Sequence, residues 1–113
     1  VEAALARFGR RFAARILGPS ELARYDRLEA PQRVRFLAMR FAAKEAGAKA
    51  LGTGFRQGVA PRQLEVFQNA AGRPGLVLGG AAGAVAAAAG VQAAHLSLAD
   101  EGEYAIAFVT LEG

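Results

Sequence analysis

The sequence predicts an α+β domain in which helices come first and antiparallel strands follow, with one short helix among the strands. In the first 51 residues, apolar side chains recur every three or four positions, as in amphipathic helices. From Leu64 onward, short apolar runs are separated by Gly, Pro and Asn, as in strands joined by turns. With 113 residues and 53% hydrophobic content, the chain suits one small domain over Val1–Gly113.

Three helices are predicted in the first half of the chain. The segment Glu2–Leu17 carries one apolar stripe and ends at Gly18, which is followed by proline. Ser20 is the predicted N-cap of a short second helix. Pro31 suits the first turn of a long third helix, and Gly52 is its natural C-terminal stop.

Four strands and a short helix are predicted in the second half. In chain order they are Leu64–Phe67, Leu76–Leu78, the helix Gly80–Ala89, His95–Leu98 and Tyr104–Leu111. The turn-forming residues between the first two strands predict a hairpin. The helix is almost entirely Ala and Gly, so we expect it to pack closely against its neighbours.

The composition limits the possible functions. Fourteen Lys and Arg against ten Asp and Glu give a formal charge of +4, which favours an acidic partner such as a carrier protein, a polyphosphate or nucleic acid. Without cysteine, neither a disulfide framework nor a thiolate metal site is possible. No apolar run approaches the roughly 18–20 residues of a membrane helix, and no secretion signal is recognisable, so we expect a cytoplasmic protein without membrane contact.

The most informative segment is Arg40–Gly54, RFAAKEAGAKALGTG, because it places four charged side chains in an otherwise apolar helix. Arg40 and Lys44 lie four residues apart in one row, and Glu45 and Lys49 form a second row. Two cations in one row repel each other by roughly 0.2–0.5 kcal/mol unless an anion lies between them. A phosphate would remove that cost, so the pattern predicts a polyphosphate site.

Glu45 adds a hard oxygen ligand of the kind that Mg²⁺ prefers when it also binds substrate phosphates. The segment therefore predicts a combined phosphate and magnesium site. The alternative for Glu45 and Lys49 is a simple helix ion pair, worth about 0.3–0.5 kcal/mol. For Arg40 and Lys44 the alternative is a solvated basic edge.

The segment RFAAKEAxxKALGTG, followed by a strand that opens on His95-Leu96-Ser97-Leu98, resembles the bacterial holo-acyl carrier protein synthases. The resemblance extends over the whole chain. It includes RFAARIL at Arg11–Leu17, LEVF at Leu64–Phe67, GRP at Gly72–Pro74 and Tyr104-Ala105-Ile106-Ala107. It implies a 4′-phosphopantetheinyl transferase-like fold and the Mg²⁺-dependent transfer of 4′-phosphopantetheine from coenzyme A to a serine of apo acyl carrier protein. The reaction would release adenosine 3′,5′-bisphosphate. The resemblance also implies a role in fatty acid biosynthesis.

The resemblance also implies roles for individual residues. It makes Glu45 the metal ligand, and Glu45 and Lys49 the catalytic pair. The residues that it implies for coenzyme A binding are Arg40, Lys44, Lys49, Gly52, Gly54 and His95. Gly52 and Gly54 would let backbone N–H groups approach a phosphate, although they could serve only as a helix stop and turn. His95 shares a strand face with Ser97, opposite Leu96 and Leu98, and could instead be a structural histidine.

A basic row on the first helix is the predicted binding site for the carrier protein. Arg7, Arg11 and Arg15 follow one another at four-residue spacing, and Arg11 and Arg15 match basic positions of the family most directly. Carrier proteins present an acidic helix beside their modified serine, so this row would steer the encounter. The alternative is a solvated face without function.

Two further expectations come from the resemblance. The family opens with a short strand whose aspartate shares the metal with the glutamate equivalent to Glu45, and here that strand would lie before Val1. The family also forms homotrimers with sites between subunits, so we expect a homotrimer. The rival hypothesis is a non-enzymatic basic module that binds nucleic acid or an acidic protein, although no RRM, KH or helix-turn-helix signature accompanies the charge.

Overall fold

The computed structural model describes residues 9–101 and 104–113, which form four helices and four strands with a short 3₁₀ turn. The helices are α1 Arg10–Ile16, α2 Pro19–Arg27, α3 Ala30–Leu51 and α4 Gly80–Ala88. The 3₁₀ turn is Pro61–Gln63, and the strands are β1 Leu64–Gln68, β2 Pro74–Leu78, β3 Ala93–Glu101 and β4 Tyr104–Glu112. The order of elements confirms the predicted α+β class.

The first two helices meet at Gly18, and their boundary differs from the prediction. Helix α2 begins at Pro19, so Gly18 and not Ser20 is its N-cap. The carboxylate of Glu21 accepts a hydrogen bond from the Gly18 N–H at 2.9 Å, which satisfies a donor that the helix itself leaves unpaired. Pro19 occupies the first turn, where its missing N–H costs nothing. The N-terminal part of the predicted first helix, up to residue 8, lies outside the described residues.

Helix α3 is the long central element and carries the candidate site. Pro31 stands in its first turn, as predicted. The helix ends at Gly52, whose φ of 86° is left-handed and suits glycine, so this predicted stop is confirmed. Its apolar residues face two separate cores, one on each half of the helix.

The strands form two antiparallel hairpins, as predicted. Strands β1 and β2 pair from Leu64 with Leu78 to Gln68 with Pro74. Strands β3 and β4 pair in a second two-stranded sheet, in which His95 lies opposite Thr110 and Ser97 opposite Phe108. Both predicted pairings are present, and the strands of the second hairpin are longer than predicted.

The larger core lies where the C-terminal half of α3 packs against both hairpins and α4. Its buried members are Ala43, Ala48, Val59, Leu64, Val66, Leu76, Ala82 and Leu96. A methyl group at Gly47 would come within 2.8 Å of the Leu64 Cδ2 atom, so glycine allows this close approach of helix and hairpin. The smaller core joins α1, α2 and the N-terminal half of α3 around Leu17, Tyr25 and Leu37. Among the described residues, no helix is long and apolar enough to cross a membrane.

Candidate functional site

The two charged rows of α3 have opposite environments. Glu45 and Lys49 are exposed, whereas Arg40 and Lys44 are buried. The reason is helical geometry, because successive residues are rotated by about 100° and the Arg40–Lys44 row shares the inner face with Leu37 and Gly47. A single helix therefore separates an outer pair of charges from an inner pair.

Lys44 is fully buried, with 0% of its side chain exposed. Its Nζ donates hydrogen bonds to Glu21 Oε1 at 2.6 Å, to the Leu64 carbonyl oxygen at 2.7 Å and to the Pro61 carbonyl oxygen at 3.0 Å. An ammonium group has three N–H donors, so all of them are used within the protein. Burial lowers the pKa of Lys44 from its usual 10.5, and the charge of Glu21 opposes that shift.

Arg40 lies in the same interior cluster. Its Nη1 atom is 3.8 Å from Glu21 Oε2, and its guanidinium lies over the Phe36 ring with Cζ 4.8 Å from the ring centroid. Burial lowers the pKa of Arg40 from its ordinary value, while Glu21 acts in the opposite direction. Nη1 is buried and makes no hydrogen bond with the described residues.

These positions concern part of the predicted phosphate site. The anion that the Arg40–Lys44 row requires is present, but it is the carboxylate of Glu21 and not a substrate phosphate. Lys44 has no free donor for a phosphate in this structure, because its three N–H groups are all bonded within the protein and its side chain is enclosed, so the predicted phosphate contact of Lys44 gains no support from these contacts. Arg40 is also buried, beside the Glu21 carboxylate, and its predicted phosphate contact stays a prediction.

Glu21 is the residue that the sequence analysis missed. Its carboxylate accepts hydrogen bonds from Lys44, from the Gly18 N–H and from the Val66 N–H, the last at 3.2 Å. A signal was available, because Glu21 and Tyr25 lie four residues apart on the buried face of α2. A carboxylate on an apolar face is rarely buried unless it is paired, so a cationic partner could have been inferred.

The outer row is open to solvent. Among the described residues, neither Glu45 nor Lys49 makes a side-chain hydrogen bond or an ion pair. The two side chains therefore do not form the simple helix ion pair that was the alternative to a functional role. The described part of the chain contains no group of three or more His, Cys, Asp or Glu residues that could hold a metal. Glu45 therefore offers one accessible carboxylate, which is compatible with Mg²⁺ because that ion often takes only one or two protein carboxylates together with substrate phosphates.

The turn after α3 continues this surface. The Gly52 N–H donates to the Lys49 carbonyl at 2.9 Å, and the Gly54 N–H donates to the Ala48 carbonyl at 3.0 Å. Both glycines have positive φ, at 86° and 57°, which is why glycine is required. The N–H groups of Gly52 and Gly54 are thus bonded to the helix, and the predicted approach of a phosphate to backbone N–H groups of this turn stays a prediction. The predicted helix stop and turn are present.

His95 is exposed on β3, on the face that also carries Ser97, whereas Leu96 is buried. The predicted division of the strand between two faces is confirmed. The imidazole Nε2 lies 3.4 Å from Glu112 Oε1, and both side chains are more than half exposed. His95 is thus accessible to a ligand on this face, next to Glu112, and its proposed phosphate contact stays a prediction.

The predicted carrier-protein row is only partly described. Arg11 and Arg15 are exposed on α1, and Arg7 lies outside the described residues. The neighbouring Arg10 is engaged elsewhere, since its Nε and Nη2 donate to the two carboxylate oxygens of Asp26 at 2.8 and 2.9 Å. Two exposed cations on this helix therefore remain as candidates for the carrier protein.

Comparisons with known proteins point to one family. The family model of the 4′-phosphopantetheinyl transferase superfamily matches residues 1–109. The holo-[acyl-carrier-protein] synthase of Halorhodospira halophila is 55% identical over 98% of this chain and 86% of its own length. That of Edwardsiella ictaluri is 50% identical over 100% of this chain and 88% of its own length.

Solved structures agree with this similarity. The holo-[acyl-carrier-protein] synthase of Neisseria meningitidis has a TM-score of 0.88 and 39% identity, and the match covers 98% of this chain and 87% of that one. A synthase from Bacillus anthracis, solved in complex with CoA (3′,5′-ADP), has a TM-score of 0.77 and 31% identity, with coverage of 96% and 86%.

Proposed function

This chain belongs to the 4′-phosphopantetheinyl transferase superfamily, and we propose how its residues transfer 4′-phosphopantetheine from coenzyme A to a serine of apo acyl carrier protein. As a holo-[acyl-carrier-protein] synthase it is a transferase. Family membership removes the support for a non-enzymatic basic module, which rested on composition alone. The observation that carries the residue assignment is the exposed row of Glu45 and Lys49 beside the Gly52–Gly54 turn, in which neither side chain is paired with another described residue.

The proposed metal ligand is Glu45, together with an aspartate that the family resemblance places on a strand before Val1. Mg²⁺ held there would neutralise charge on the pyrophosphate of coenzyme A. Support comes from the accessibility of the Glu45 carboxylate and from its hard oxygen donors. The inner cluster cannot substitute for it, because the Glu21 carboxylate is already bonded to protein donors.

Lys49 is the proposed cation that binds the phosphates and stabilises the charge that develops on them during transfer. Its side chain is exposed, one helical turn from Glu45, so both can face the same substrate group. His95 is proposed to contact the coenzyme A phosphates from β3 without acting as an acid or base. With Lys44 and Arg40 buried, Lys49 becomes the principal phosphate-binding cation of α3.

The reaction that we propose is a displacement at phosphorus. The carrier serine oxygen forms a bond to the β-phosphorus, the bond from that phosphorus to the bridging oxygen breaks, and adenosine 3′,5′-bisphosphate leaves. The serine proton must be taken up, and Glu45 is the candidate acceptor among this chain's residues. The protein contributes mainly orientation and charge stabilisation, as is usual in phosphoryl transfer.

A homotrimer with sites between subunits is also proposed. Support comes from the outer face of the β3–β4 hairpin, where Phe108 is 67% exposed and Ile106 is 36% exposed. Large exposed apolar side chains on one sheet face are typical of a surface covered by a partner. His95 lies on the same face, opposite Thr110, so a neighbouring subunit that covered Phe108 would also approach His95.

The transfer is tested by incubating the complete protein with an apo acyl carrier protein, coenzyme A and Mg²⁺. We expect intact-protein mass spectrometry to show the carrier gaining one phosphopantetheine group, and chelation of the metal with EDTA to abolish the gain. A carrier whose mass stays unchanged in the presence of Mg²⁺ would contradict the enzymatic function. A gain of the same rate in EDTA would contradict the metal dependence alone.

The carrier-protein row is tested by the double variant Arg11→Glu and Arg15→Glu. We expect a large rise in KM for the carrier and little change in KM for coenzyme A, because the reversed charges repel an acidic partner and lie on a different helix from Glu45 and Lys49. The effect should be strongest at low salt, where charges are least screened. Arg73→Glu, an exposed arginine on the β1–β2 turn, is the control. The control reverses one charge and the double variant two, so a rise in the control of half the size on a logarithmic scale would show that net charge, and not this row, determines binding.

A further inference from the structure

Lys44 and Glu21 form an interior clamp, which we define as these two side chains with the carbonyl groups of Pro61 and Leu64. The Lys44 ammonium joins three separate elements: α2 through Glu21, the 3₁₀ turn through Pro61, and the start of β1 through Leu64. Glu21 extends the network to β1 by accepting from the Val66 N–H. Helix α3 and these three elements are therefore joined at the Nζ atom of Lys44.

Stability alone does not explain a buried pair of this kind. Removing two charges from water costs several kcal/mol each, and well-packed apolar residues of similar volume are often as stable or more stable. What the ammonium supplies that a methionine could not is direction, since its three N–H groups point at three fixed acceptors. The clamp therefore fixes the rotation of α3 and its distance from the segment that precedes β1.

The clamp is directly connected to the proposed site. Glu45 is the next residue along the helix, so any rotation of α3 about its axis moves Glu45 and Lys49 by the same angle. The segment 52–63 is tied to the same helix at both ends, by the Gly54 N–H on the Ala48 carbonyl and by Lys44 on the Pro61 carbonyl. The clamp thus holds the outer row and the turn beside it in one arrangement.

We propose that Lys44 and Glu21 are positioning residues of the transferase site, which act by holding Glu45, Lys49 and the Gly52–Gly54 turn in register. This inference rests on the proposed roles of Glu45 and Lys49. Neither clamp residue contacts substrate, because Lys44 is fully enclosed and the Glu21 side chain is 1% exposed.

The test compares Lys44→Met with the double variant Glu21→Gln/Lys44→Met. The single variant leaves the buried Glu21 carboxylate with Arg40, 3.8 Å away, as its remaining cation, and should unfold at lower urea concentration. The double variant removes both clamp charges and should recover part of that loss, less the part that Arg40 loses with the Glu21 carboxylate. We expect kcat to stay about 10- to 100-fold below the unmodified protein in both variants, the usual size of such supporting contacts, with KM for coenzyme A within about threefold.

A purely structural role gives a different result, because kcat would then recover together with the urea midpoint in the double variant, and that recovery would overturn the proposal. Leu17→Ala is the matched control. This substitution leaves a cavity in the smaller core, because Leu17 is 0% exposed. It should lower the urea midpoint without lowering the kcat of the folded protein. A kcat loss in the control equal to that of the clamp variants would also overturn the proposal.

A second readout does not depend on activity. Hydrogen exchange in the segment 52–63 should accelerate in the double variant, relative to the β3–β4 hairpin, because the hydrogen bond that ties Pro61 to α3 is lost. Unchanged exchange there would overturn the proposal even if the transfer reaction itself were never observed.

If the double variant does not fold, the single variant Glu21→Gln tests the proposal. The glutamine keeps an acceptor oxygen, and we expect at least a threefold loss of kcat. An unchanged kcat would contradict the positioning role of the clamp.

Discussion

Glu45→Gln in the complete protein is expected to lower turnover by about 10²- to 10³-fold while leaving the fold intact, as for other groups that stabilise charge in a transition state. The amide cannot neutralise a metal, nor accept the serine proton. Glu45 is exposed and, among the described residues, makes no ion pair or side-chain hydrogen bond, so its replacement empties no core and breaks no internal contact. The measurement is the rate of carrier-protein mass gain at saturating coenzyme A, with the urea midpoint as a check on folding.

The matched control for this variant is Glu29→Gln, the same chemical change at the N-cap of the same helix. Glu29 is exposed and lies 16 residues from Glu45, about 24 Å along the helix at 1.5 Å per residue. We expect its turnover to match the unmodified protein. If Glu45→Gln were no slower than Glu29→Gln, the assignment of metal and catalytic roles to Glu45 would be wrong.

Leu64→Ala is expected to give the largest loss of stability, about 2–5 kcal/mol in the free energy of unfolding. Leu64 is 0% exposed in the larger core, and its Cδ2 atom fills the space left by Gly47 on α3. Shortening it leaves a cavity between β1 and the helix, while its carbonyl oxygen still accepts from Lys44. Urea unfolding at a fixed protein concentration measures the change, because an oligomer's stability depends on concentration.

Val77→Ala is the control for the core prediction. Val77 lies on the same hairpin but is 56% exposed, so we expect its truncation to change the free energy of unfolding by less than about 0.5 kcal/mol. Equal losses at Leu64 and Val77 would show that the hairpin does not pack on α3 through its Leu64 face. Equal losses would also mean that the face of the hairpin that carries Val77 is buried in the folded protein.

Local sequence signals were sufficient to predict most of the fold. Gly52 is predicted to end α3 and does so with a left-handed φ, and the alternation of His95, Leu96 and Ser97 predicts which side chain is buried. Such signals depend on a residue's immediate neighbours, and so one sequence is enough to reveal them. The exact start of α2 was missed because Glu21, and not Ser20, accepts the N-terminal hydrogen bond.

The inner cluster could not be predicted in the same way. Lys44 and Glu21 are 23 residues apart, and periodicity alone does not say which of the two charged rows of α3 faces the core. The repulsion between Arg40 and Lys44 correctly indicated a missing anion, but not whether it was a substrate or a side chain. Helix packing decides the matter, because it turns Leu37, Lys44 and Gly47 inward and leaves Glu45 outside.

The central claim is that the outer row of α3 performs the chemistry while the inner row holds the helix in place. A crystal structure of the complete protein with coenzyme A and Mg²⁺ tests it most directly. We predict a Mg²⁺ ion coordinated by Glu45, a phosphate oxygen within hydrogen-bond distance of Lys49, and Lys44 still bonded to Glu21, Pro61 and Leu64. A phosphate oxygen bonded to Lys44, or a metal held without Glu45, would contradict the account.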